Sequence, residues 1–142
     1  MPAKMLDHIG MVVADIQATA QRIESALGLK VVAEEDYGDG LIAIAFIPVG
    51  QGLNGPKIEL LEPHRPGSSA WNFLQAHGDG VEHVAFLVDD VDQTLDGIRG
   101  MVPLADQYGR PGAGKMTIAF LDGRAIPGLL AELVSPARKE YS

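Results

Sequence analysis

Leu6-Asp7-His8-Ile9-Gly10-Met11-Val12-Val13-Ala14-Asp15-Ile16-Gln17-Ala18-Thr19 lies over Val81-Glu82-His83-Val84-Ala85-Phe86-Leu87-Val88-Asp89-Asp90-Val91-Asp92-Gln93-Thr94 at an offset of 75 residues, His8 to His83. Histidine falls on histidine and aspartate on aspartate. Further on, Ile58-Glu59-Leu60-Leu61 lies over Ala131-Glu132-Leu133-Val134 at an offset of 73, Glu59 to Glu132, and two residues of loop length absorb the difference. The chain therefore carries one structural plan twice, with a period longer than that of ordinary repeat arrays.

Each copy reads as an apolar strand ending at an aspartate cap (Asp15; Asp90), then an amphipathic helix (16–27; 91–100), then three further β-type segments. In the first copy these fall at Lys30 to Asp36, Leu41 to Pro48 and Lys57 to Glu62, with Gly38 to Gly40 and Gly50 to Gly55 as turns. In the second they fall near Val102 to Ala105, Met116 to Leu121 and Leu129 to Val134, with Gly109 to Gly114 as a glycine-rich loop. A helix over Ser68 to Ala76 links the copies. The expected fold is α+β: two βαβββ modules forming a curved mixed sheet around a metal cavity. The expected organisation is a single domain over 1–142, with module 1 at about 1–65, the linker helix at about 66–78 and module 2 at about 79–136.

Composition narrows the chemistry. Hydrophobic residues make up 46% and charged residues 21%, which is globular usage rather than that of a disordered chain. A formal net charge of -8, with no Lys/Arg cluster, speaks against nucleic acid and anionic membranes as partners. No basic segment leads into an apolar stretch at the N-terminus, and no apolar run approaches the roughly 18 residues of a membrane span, so a cytoplasmic location is expected. With no cysteine, disulfides, thiolate zinc sites and cysteine nucleophiles are excluded. His and carboxylate remain as metal ligands.

Side chains alternate along a strand, so His8 shares a face with Gly10 and Val12 while Ile9 and Met11 share the other, and His83 is placed equivalently. Glu59 and Glu132 are polar residues inside apolar strands. A buried carboxylate costs several kcal/mol unless a cation or a dense set of donors compensates it. Taken singly, each of the four has an ordinary reading: a hydrogen-bonded core histidine, or a glutamate facing solvent on a half-buried strand. Joint repetition of His-then-Glu favours one metal site built from His8, Glu59, His83 and Glu132. Its two nitrogens and two oxygens suit a five- or six-coordinate divalent ion with positions left for water or substrate. His64 and His77 have no counterpart in the repeat and read as solvated loop histidines.

These segments, together with Ala45-Phe46-Ile47-Pro48-Val49-Gly50, Ile58-Glu59-Leu60-Leu61-Glu62-Pro63, Val88-Asp89-Asp90-Val91 and Arg110-Pro111-Gly112-Ala113-Gly114, resemble the vicinal-oxygen-chelate (glyoxalase/bleomycin resistance/dioxygenase) superfamily, and within it the methylmalonyl-CoA epimerases. The resemblance covers nearly the whole chain. It implies a glyoxalase-like fold, a homodimer, and one divalent metal per site, commonly cobalt or manganese, with nickel, zinc and magnesium also open. It implies, too, loss and return of the proton next to a thioester carbonyl, with the metal as Lewis acid. Glu132 and Glu59 are then the candidate proton carriers. Arg110, Lys115 and Arg124 are the candidate contacts for a small-molecule substrate, possibly an acyl-CoA.

Two departures from the family pattern matter. Ala43 stands where one epimerase type carries a glutamate proposed as a base, and Asp122-Gly123-Arg124-Ala125 stands where the family has His-Pro-Lys-Ser, so that Arg124 replaces the lysine. The segment Gly109 to Lys115 is no Walker A motif, because the spacing is wrong and Met116 occupies the magnesium-binding Ser/Thr position. Its alternatives are a hairpin turn and a substrate lid. Glyoxalase I (lactoylglutathione lyase) shares the four-ligand pattern and is the nearest alternative function. A ring-cleaving dioxygenase needs two His and one carboxylate, which a fourth ligand argues against. A metal-free binding or resistance protein has little use for two buried carboxylates.

Overall fold

A computed structural model describes residues 3–137. The chain divides into two compact units, one spanning His8–Glu82 and the other combining His83–Ser142 with Met1–Asp7. We refer to them as the N and C units. Among the described residues no helix is long and apolar enough to cross a membrane.

The N unit contains most of β1 (Met5–Val12), then α1 (Ile16–Leu27), β2 (Ala33–Tyr37), β3 (Ile42–Pro48), β4 (Lys57–Pro63) and α2 (Ser69–His77). Its sheet order is β2-β3-β4-β1, with β1 parallel to β4 and the other pairs antiparallel. The C unit contains most of β5 (Gly80–Leu87), then α3 (Val91–Ile98), β6 (Arg110–Gly112), β7 (Met116–Phe120) and β8 (Ala131–Pro136). Its order, β5-β8-β7-β6, is the same plan read from the other end, again with the first and last strands of the unit parallel. The fold is α+β with a βαβββ module in each unit, as the repeat predicts.

Both crossover helices start where the sequence indicates. Asp15 accepts from Ala18 N–H at 3.1 Å and Asp90 from Gln93 N–H at 3.0 Å, each satisfying a donor that the first helical turn leaves open. Helix α1 ends at Gly28, whose φ of 70° is the left-handed conformation that lets its N–H reach back to the Glu24 carbonyl. Each helix presents an i, i+4, i+7 stripe to its sheet. Ile16, Ala20 and Ile23 pack with Val13, Ala45, Ile47 and Leu60, while Val91, Leu95 and Ile98 pack with Val88, Ala119, Leu121, Ala131 and Leu133. At about 1.5–3 kcal/mol for each fully buried aliphatic side chain, these stripes hold helix to sheet far more strongly than helix propensity does.

The structure corrects the second copy in one respect. Val102 to Ala105 is no strand: only single bridges join Arg99 to Val102 and Leu104 to Leu121, and Pro103 has no N–H to extend a ladder. The strand equivalent to β2 is β6, lying inside the stretch read as a glycine-rich loop. Its glycines are there for close approach. A Cβ on Gly112 would stand 2.6 Å from Ile118 Cγ2, and one on Gly109 2.7 Å from Thr117 Cγ2. The remainder of that stretch, Ala113–Lys115, is a single 3-10 turn, with Gly114 and Lys115 at φ of 69° and 58°.

Candidate metal centre

The parallel strand pair of each unit, β1 with β4 and β5 with β8, places the histidines and glutamates. In the N unit Gly10 is the register partner of Glu59, and His8 lies two residues before Gly10 on the same face. In the C unit Ala85 is the register partner of Glu132, and His83 lies two residues before Ala85. The two units repeat this register residue for residue. Each imidazole is therefore a diagonal cross-strand neighbour of its carboxylate, within reach of a long side chain. The small residue opposite each glutamate leaves space for the carboxyl group.

His8 Nδ1 lies 3.1 Å from Glu59 Oε2, and His83 Nε2 lies 3.5 Å from Glu132 Oε1. All four residues are buried, with relative exposures of 5%, 8%, 5% and 4% for His8, Glu59, His83 and Glu132. The contact in the C unit is longer than an ordinary N–H···O hydrogen bond, whose mode is about 2.9 Å. Each buried pair of imidazole nitrogen and carboxylate oxygen offers donors that suit a borderline divalent cation, since a desolvated carboxylate needs a positive charge and imidazole is a good ligand for such ions.

Strand alternation sorts everything else by face. In the N unit Ile42, Ile44 and Phe46 lie in register opposite Pro63, Leu61 and Glu59, and so share the face of Glu59. Ala43, Ala45 and Ile47 point the other way and pack under α1. Ala43 thus does not occupy a position facing the histidine and glutamate. The face it was expected to occupy is filled by the branched side chains of β3. Lys57, the register partner of His8 and on the face of Glu59, is only 7% exposed. Sequence reasoning passed over it, although a lysine opening an apolar strand carries the same signal as Glu59. On β2, Glu35 and Tyr37 are register partners of Ile44 and Ile42, and so lie on that face as well.

In the C unit, Phe120 is the register partner of Glu132 and meets the His83 ring edge-on at 5.2 Å between centroids. Arg110, partner of Ile118, shares this face, with its guanidinium 5.9 Å from the Phe120 ring centre and 3.3 Å from Asp106. The other two predicted cations are not brought to it. Lys115 is exposed in the 3-10 turn, and Arg124 lies on the loop after β7, its Nε 2.8 Å from Asp122. That guanidinium, through its side-chain hydrogen bond, holds the Asp122 carboxyl below the usual carboxylate range. His64 follows β4 and bonds Glu62 at 2.7 Å, while Glu62 also accepts from Ile16 N–H at the start of α1. His77 is exposed but is the last residue of α2, with its ring 4.9 Å from Phe73, rather than a loop residue.

Residues 7–120 match the family model of the glyoxalase/bleomycin resistance protein/dioxygenase superfamily. The chain belongs to this superfamily. It is 33% identical over 138 residues to the uncharacterized protein YqjC of Bacillus subtilis, covering 96% of each chain. It is 30% identical over 131 residues to the ethylmalonyl-CoA/methylmalonyl-CoA epimerase of Cereibacter sphaeroides, covering 90% of this chain and 95% of that one. Among solved structures, a variant of the Streptomyces coelicolor methylmalonyl-CoA epimerase in complex with 2-nitronate-propionyl-CoA superposes with a TM-score of 0.87 at 30% identity, covering 96% of both chains. These superfamily relatives include epimerases that act on, or are seen with, acyl-CoA compounds.

Proposed function

We propose that this protein is a divalent-metal-dependent epimerase of the methylmalonyl-CoA type, moving the proton next to a thioester carbonyl, with the whole chain acting as one domain. The observation that supports this above others is the duplicated, buried His–Glu pair at one register in both units. Under this reading His8, Glu59, His83 and Glu132 are the ligands of a single ion. When bound, such an ion supplies Lewis-acid stabilisation of the negative charge that develops on the carbonyl oxygen as the neighbouring C–H bond breaks.

The chain's own residues do the rest. Apolar side chains beside each pair, Phe120 in the C unit and the isoleucines of β3 in the N unit, keep water from the carboxylates of their own unit, which strengthens charge interactions there. Glu132, which lies 3.5 Å from His83 where Glu59 lies 3.1 Å from His8, is assigned the proton abstraction. Glu59 remains a ligand carboxylate and the reserve proton carrier. Arg110, on the face of Glu132, contacts an anionic part of the substrate, and Lys115 and Arg124 serve only a distal part, such as the nucleotide of CoA.

Chiral analysis of methylmalonyl-CoA incubated with the purified protein tests this reading, before and after treatment with a chelator. The expected result is inversion at carbon 2, abolished by chelation and restored by a divalent ion. Turnover of the glutathione hemithioacetal of methylglyoxal without inversion of methylmalonyl-CoA would move the assignment to glyoxalase I, and chelator-insensitive inversion would remove the metal.

A further inference from the structure

Of the three cations expected to meet the substrate, Arg110 is the one that shares the face of Glu132, and it stands exposed on an edge strand of three residues. A flexible arginine in such a place samples many rotamers, and binding an anion there costs the entropy of selecting one. The C unit contains a device that makes the selection in advance. Strand β6 ends its pairing with β7 at Arg110 opposite Ile118, so the ladder stops short of Phe120. Asp106 takes the place of the missing strand. Its Oδ2 accepts the Phe120 N–H at 2.8 Å, and the Phe120 carbonyl accepts from the N–H groups of Ala105 and Asp106 at 3.2 and 3.0 Å. The other carboxylate oxygen, Oδ1, accepts from Arg110 Nε at 3.3 Å.

One carboxylate therefore grips both the backbone of Phe120 and the guanidinium of Arg110. Asp106 is itself held in place, half-buried between exposed neighbours. Arg99 donates to the side chain and the carbonyl of the next residue, Gln107, at 2.9 and 2.8 Å, and Asp92 accepts the Gly109 N–H at 2.7 Å. A bond to Nε sets the plane of the guanidinium without using the terminal fork through which arginine reads carboxylates and phosphates. The guanidinium lies over Phe120, 5.9 Å from the ring centre, and the same ring meets His83 edge-on at 5.2 Å. Resting on the function proposed above, we infer that Asp106 is a positioning residue, which aims Arg110 across the Phe120 ring at the anionic group of the substrate.

Steady-state inversion of methylmalonyl-CoA by the holoenzyme tests the assignment as a cycle of wild type, Asp106→Asn, Arg110→Ala and the double variant. Asparagine keeps an oxygen for the Phe120 N–H but presents an amide N–H to Arg110 in place of an acceptor, so the end of β7 is preserved while the bond to the guanidinium is lost. Asp106→Asn is expected to raise KM about fourfold with kcat within about 1.5-fold of wild type, the size of effect that a partly exposed ion pair supplies. Once Arg110 is alanine, the same substitution is expected to add less than about 1.5-fold to KM, because no guanidinium is left to aim. An unchanged KM in Asp106→Asn overturns the inference, as does a fall in kcat or an equal rise in KM in both backgrounds. Loss of a cooperative urea transition in Asp106→Asn marks a structural role and overturns it too. Two other results bear first on the proposed function: a wild type that does not invert methylmalonyl-CoA overturns that function, and an Arg110→Ala variant with wild-type KM removes Arg110 from the substrate. Either takes this inference with it.

Discussion

The two units differ least at their parallel strand pairs and most at the strands farthest from them. Around the parallel strand pair, His8 with Gly10 and Glu59 is matched by His83 with Ala85 and Glu132 at one register, and even the aromatic opposite the glutamate recurs as Phe46 and Phe120. Away from it the copies part. The N unit buries Lys57 beside His8 where the C unit has Leu130 at the corresponding position, and it carries Glu35 on the outer strand where the C unit carries Arg110. The parallel pairs are alike, and the outer strands are not. The copies thus provide an internal control for one another.

The comparison breaks most visibly if the two histidines prove unequal. His8→Ala and His83→Ala are each expected to lower retained metal from about one ion per chain to below about a tenth after exhaustive dialysis, because each removes one of the four proposed ligands. Acidification is expected to release the ion from wild type in one step, since both imidazoles must be neutral to bind. Elemental analysis that finds one variant fully loaded would mean that the pairs do not share an ion.

A smaller effect sharpens the difference between cations on and off the central face. Arg110→Ala is expected to raise KM for the proposed acyl-CoA substrate about tenfold with little change in kcat, the signature of a contact made equally in ground and transition states. Arg124→Ala, removing an exposed side chain already paired with Asp122, is expected to change KM by less than about threefold. Steady-state kinetics showing the reverse order would put the substrate's anionic groups on the loop after β7.

The smallest expected effect concerns the caps, where the units should agree. Asp15→Ala and Asp90→Ala each remove one side-chain acceptor from a helix N-terminus and are expected to cost about 1 kcal/mol in urea unfolding. A cost confined to one of them would show that only one crossover helix is a limiting element of stability.

Much of this was legible in the residues. The bounds of α1 and both aspartate caps follow from local chemistry, and the histidines and glutamates declare themselves because polar residues recur at one spacing in apolar strands. What was hidden depended on contacts distant in sequence. The composition of Arg110–Gly112 indicates a loop, and only the proximity of Ile118 and Thr117 explains why Gly109 and Gly112 stand in and beside a strand. The side to which Ala43 points is a matter of register with Glu62, and a strand displaced by one residue turns over. Glu35 was invisible for a related reason. It stands in the acidic run Glu34-Glu35-Asp36, and alternation against β3 is what separates the half-buried member from its exposed neighbours.

The outermost strands have one more consequence. In the N unit β2 is the first strand of its sheet and carries exposed Glu34 and Asp36; in the C unit β6 is the last, three residues long, with Pro111 at its middle. Acidic side chains repel a second copy of the same edge, and proline offers no N–H to an incoming strand. Polymerisation by strand addition is therefore discouraged at both edges, and self-association of this chain has to be built from side-chain surfaces.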